Sequence, residues 1–159
     1  MADFFKRVER GMGMDDATWE RHANPLSAWT RIPILPLLAL AIWSRTWLGW
    51  WCLVPVALLV AWVFINPRAF PVPKSTDNWM SKAVLGERVF LARKQTPIPQ
   101  HHAQWGIGLS VLAALGLPPL VYGLLVFNAW AVVLGLMITV GAKMWFLDRM
   151  VWLLADTSD

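Results

Sequence analysis

Apolar residues in this chain come in long, nearly uninterrupted runs, and no other feature limits its fold as strongly. A helix rises about 1.5 Å per residue, so roughly 20 apolar residues cross the hydrocarbon core of a bilayer. Four segments approach that length: 26–44, 46–65, 105–127 and 129–154. The clean apolar part of the first starts only at Ile32, with Pro33 and Pro36 near its beginning. Ile32–Trp43 alone is short enough to be re-entrant, but Trp29 and Arg31 at headgroup level extend it to a full span. Asn66-Pro67 is expected to stop the second segment, and Pro118-Pro119 to kink the third.

The links between the first and second and between the third and fourth segments are very short, so each pair is expected to fold as an antiparallel hairpin. The expected fold is all-α: a single membrane domain over 1–159, built as a four-helix bundle of two transmembrane hairpins. Composition agrees, with 57% hydrophobic and 15% charged residues against roughly 25% charged in a soluble domain. Of 14 Lys and Arg residues, only Arg45 lies in a far-side link, and all 10 acidic residues and three histidines lie opposite it. The positive-inside rule then places both termini and the 66–104 link in the cytoplasm, with the bundle in the inner membrane. The net charge of +4 suits anionic lipid headgroups better than nucleic acid. Trp43, Trp47, Trp50, Trp51 and Trp130 fall near the outer boundary, and Trp29, Trp105, Trp145 and Trp152 near the inner one, where indoles are favoured.

Two amphipathic helices are expected to lie at the cytoplasmic interface. In the N-terminal segment 1–25, Phe4, Phe5, Val8 and Met12 share a face. It has no continuous apolar core before a small-residue cleavage site, so it does not read as a signal peptide. In the link, Trp79, Met80, Ala83, Val84, Phe90 and Leu91 share another, with Lys82, Arg88 and Arg93 pointing away. Asn24 is placed to cap the first span, with Pro25 in its first turn. The lone Cys52 excludes a disulfide framework.

Chemistry has few places to reside. Glu87 falls near the centre of the apolar face of the link helix, where a carboxylate is costly unless paired, protonated or metal-bound. It reads as a general acid/base or metal ligand, or as the partner of Arg31, Arg68 or Lys143. His101 and His102 precede the third span and His22 precedes the first. With Glu87 they make a candidate ligand set for zinc, iron or manganese, and Glu87 and His102 are the catalytic candidates. Histidines satisfied by water or headgroups are the competing account. Arg31, Asn66, Arg68 and Lys143 are candidate binding residues for an anionic, lipid-like substrate. Lys143 lies about 21 Å along the fourth span and can also snorkel to the surface. Phosphate-binding glycine loops, nucleophile elbows, Cys-x-x-Cys pairs and desaturase histidine boxes are absent from the sequence.

The segments His22–Arg31, Asn66–Pro71, Gly86-Glu87 and Pro99–His102 resemble a family of small bacterial and archaeal membrane proteins known as a domain of unknown function. The resemblance covers most of the chain. It implies that these polar segments belong together and brings no activity with it. Two functions follow from the residues. One is a metal-dependent membrane enzyme acting on a lipid-like or amphiphilic substrate at the cytoplasmic interface. The other is a non-catalytic membrane subunit that binds lipid, pigment or a partner protein, as a homo-oligomer or in a larger membrane complex. Gly106, Gly108 and Gly116 permit close helix contact for the second. A transporter is disfavoured because the outer halves of the spans are almost free of polar residues.

Overall fold

The computed structural model describes residues 16–158, which contain no strand. The helices are α1 (Asp16–His22), α2 (Pro25–Trp29), α3 (Ile34–Trp43), α4 (Arg45–Leu48), a 3-10 turn (Gly49–Cys52), α5 (Leu53–Ala69), α6 (Trp79–Leu91), α7 (Gln100–Leu115), α8 (Leu117–Val126) and α9 (Ala129–Thr157). The amphipathic helix expected around Phe4–Met12 lies outside the described residues.

Among the described residues, three helical stretches are long and apolar enough to cross a membrane: Pro25–Ala69, Gln100–Val126 and Ala129–Thr157. This is a membrane protein. The count differs from the four separate runs read in the sequence, because only the turn residue Ser44 separates α3 from the short helix α4, so the first two runs join. A single 45-residue stretch results, interrupted at 30–33, at Ser44 and at Gly49, whose φ of 56° is open to glycine. Within that stretch α3 and α5 pack against each other. Asn66-Pro67 also fails to end its helix, which runs on to Ala69. Pro118-Pro119 falls in the first turn of α8, just past a break at Gly116. That is where a proline's missing N–H costs least.

Local chemistry explains the boundaries. Asn24, Asn78 and Asn128 cap α2, α6 and α9 by accepting from Leu26, Ser81 and Ala131 N–H groups at 3.0, 2.9 and 3.1 Å. Phe127 ends α8 at φ 58°, held by an edge contact with Trp43 (5.6 Å) and by the Arg45 guanidinium over its ring (4.4 Å). Arg45 also donates to the Leu124 and Leu125 carbonyls, where a cation offsets the helix dipole. Arg45 thus serves a helix end.

The central element is α9, which packs against α6, α7 and α8. Phe90, Met80, Met150 and Leu153 are fully buried at the end of the molecule that carries α6. A smaller cluster, Ala39, Leu120, Leu124 and Val132, fills the other end. The apolar face of α6 matches the pattern read in the sequence, but it meets α9 and α2 rather than open membrane interface. Gly106 admits the Phe90 ring and Gly116 admits Thr139 and Gly135, whereas Gly108 faces open space. Outward faces are strongly apolar, with Trp50 86% and Trp130 82% exposed. Such a surface needs lipid or a partner around it.

Candidate functional site

The candidate residues fall into two groups. The first sits where α1 and α2 meet α5, α6 and α9. Thr30, at the end of α2, donates to the Leu26 and Ser27 carbonyls at 2.7 and 3.1 Å. Asn66 Nδ2 donates to Thr30 Oγ1 (2.8 Å), and Ser27 Oγ donates to Asn66 Oδ1 (2.8 Å). His22 Nδ1 meets Ser27 Oγ at 3.0 Å, and His22 Nε2 meets Arg31 Nη1 at 2.9 Å. A guanidinium only donates, so Nε2 must accept and Nδ1 must carry the proton. The chain therefore runs in one direction, Arg31 to His22 to Ser27 to Asn66 to Thr30. Every acceptor in it is supplied, which removes the penalty of burying these groups.

Burial, followed by the charge of Arg31, lowers the His22 pKa from 6.5 to about 4, while Glu87 pulls weakly the other way. His22 is therefore neutral at physiological pH, with both nitrogens occupied. That leaves no lone pair for the metal-ligand role considered from the sequence. An unfolded His22 titrates at its ordinary value, so the folded state is favoured fully above pH 6.5. That advantage declines as pH falls toward 4, by about 3 kcal/mol in all. The thermal midpoint in detergent is expected to drop over that window, and His22→Gln to flatten the drop. An unchanged slope in the variant would refute the assignment.

Glu87, on α6, accepts from Lys143 Nζ of α9 at 2.8 Å. Burial alone would raise its pKa, but Lys143 by charge and hydrogen bond, then His22 and Arg31, together hold it below the ordinary carboxylate value. Of the cations considered as partners from the sequence, Lys143 is the one bonded. Arg68 is exposed and donates to the Phe64 carbonyl one turn back. The pair lines one part of a cleft of about 390 Å³ between α6, α7 and α9, whose other walls include Phe90, Leu109, Val111 and Phe146. Lys143 also lies over the Phe146 ring at 4.6 Å.

The second group joins the start of α7 to the end of α9. His102 Nε2 lies 2.8 Å and His101 Nε2 3.9 Å from Asp156 Oδ2. One ligand atom from each residue falls within 4.8 Å of the others, so this group can hold a metal ion. Asp156 was missed in the sequence because it lies beyond the expected end of the fourth span and belongs to no recognisable spacing. Ser27 and Thr30 lay inside a segment noted for its resemblance, with no pattern to single them out. His22 and Glu87 stand in the first group, so the four expected ligands do not form one shell.

A family model described as Family of unknown function (DUF6653) matches residues 4–159. Neither a curated protein nor a solved structure matches the chain.

Proposed function

The chain belongs to the family of unknown function DUF6653, and we propose from its own geometry that it binds a membrane amphiphile with an apolar chain and an anionic head. The observation that carries this is the cleft: apolar walls with the Glu87–Lys143 pair set among them. Its size is within the roughly 300–1,000 Å³ of small-molecule sites. The polar group beside it holds two cations, Arg31 and Lys143, against one carboxylate, Glu87, with His22 neutral. One positive charge is left over, which suits an anionic head.

Binding is favoured over acid/base catalysis in this cleft. Glu87 is already paired, and His22 is engaged at both nitrogens. In the same reading the protein is a two-hairpin bundle of four spans in the inner membrane, with both termini cytoplasmic. The packing of α3 on α5 and of α7 and α8 on α9 supports the hairpins. The cationic bias of one side supports the orientation.

The test is lipid retained by the detergent-purified protein, identified by extraction and native mass spectrometry. Wild type is expected to retain an anionic amphiphile. Val111→Trp, which narrows the cleft, and Lys143→Met are expected to weaken retention on the order of tenfold, about 1.4 kcal/mol. Equal retention by all three proteins, or equal retention of zwitterionic lipid, would overturn the reading.

A further inference from the structure

We propose that His101, His102 and Asp156 form a site for one divalent transition-metal ion of the zinc type, separate from the amphiphile cleft. The ligand chemistry suits it, since two imidazoles and one carboxylate are a common donor set for such ions. Donors about 2.0–2.1 Å from a tetrahedral ion lie about 3.4 Å from one another. The two nitrogen-to-carboxylate distances, 2.8 Å for His102 and 3.9 Å for His101, bracket that value. An ion entering between them needs shifts of about half an ångström, which the exposed side chains can supply, His101 being 63% and Asp156 49% exposed.

The placement of His102 is a second observation. It is only 3% exposed, and Nε2 is the ring nitrogen that it turns to Asp156. Its ring lies 4.1 Å from that of His101, tilted by 39°, so two consecutive residues converge on one acceptor although helix geometry splays neighbours by about 100°. Asp156 meanwhile lies in the last turn of α9, where a carboxylate opposes the helix dipole and a bound cation offsets it.

Three protein ligands leave at least one coordination position open to water or to another molecule, the pattern of a reactive rather than a closed structural ion. The bound ion would also tie the start of α7 to the end of α9, so its occupancy would tighten the end of the molecule that carries α6.

The test uses the full chain in detergent, freed of metal by chelation and titrated with Zn(II), then with Co(II) followed by its visible absorption. Wild type is expected to take up one equivalent and to gain thermal stability. Asp156→Asn and His101→Ala change exposed side chains and are expected to fold, but to bind at least tenfold more weakly. Asp77→Asn, an exposed acid paired with Lys82, serves as the control and is expected to bind like wild type. No uptake by wild type overturns the site, as does equal affinity in Asp156→Asn and His101→Ala. Lipid retention by Asp156→Asn is expected to match wild type, so failure here and failure of the amphiphile reading can be told apart.

Discussion

Gly86→Ala is expected to destabilise the protein by about 3 kcal/mol, the overpacking cost at a contact that cannot relax. A Cβ at this position would lie 1.9 Å from the Met150 carbonyl oxygen and 2.6 Å from its carbon. Both are backbone atoms, so no rotamer change relieves the clash. The only relief is for α6 to lift away from α9, and that would also pull Glu87 from Lys143. The unfolding midpoint in detergent, followed by tryptophan fluorescence, should fall by several degrees. Gly108→Ala is the matched control. A Cβ there meets nothing within 4 Å, and alanine is the better helix former by roughly 1 kcal/mol. Equal effects at the two positions would mean that α6 and α9 are not this close.

Lys143→Met carries the second effect, expected at about 1–2 kcal/mol for breaking a pair whose lysine is half-exposed and whose carboxylate is partly buried. Glu87 is 24% exposed on its side chain, and methionine in place of the ammonium leaves its carboxylate with only the more distant charge of Arg31. Glu87→Gln strands the lysine less, because that side chain is 48% exposed and its long stem can reach water or headgroups. The double substitution Glu87→Gln, Lys143→Met removes both charges together and is expected to be more stable than Lys143→Met alone. A double-mutant cycle reads this directly. Simple additivity would show that the two side chains are not coupled, and the cleft would lose its polar anchor.

Much of the architecture was legible because it depends on neighbours in the chain. Apolar run length marked the membrane helices, and the 100° period located the face of α6 that buries Met80, Ala83, Val84 and Phe90. Proline chemistry marked the break before α8, and Asn24 was recognisable as a cap. The local rules erred where geometry compensates. Helix α5 continues through Asn66-Pro67 for another turn, and the Asn66 side chain there joins Ser27 and Thr30. The link expected at Ser44-Arg45 does hold a turn, at Ser44, but the short helix α4 follows it and the chain breaks again at Gly49.

By itself, the sequence determined that this chain lives in a membrane and that its polar residues gather toward one side. Both follow from the cost of placing charge in hydrocarbon, which acts on each residue separately. Tertiary structure alone decided which polar residues meet. Glu87 had three cations to choose from and pairs with Lys143 across 56 positions of sequence. The three histidines looked like one set, yet His22 closes a chain with Arg31 and Ser27 while His101 and His102 turn to Asp156. Such partnerships depend on how α6, α7 and α9 dock. Docking is set by close backbone approaches such as Gly86 to Met150, which no periodicity in the sequence encodes.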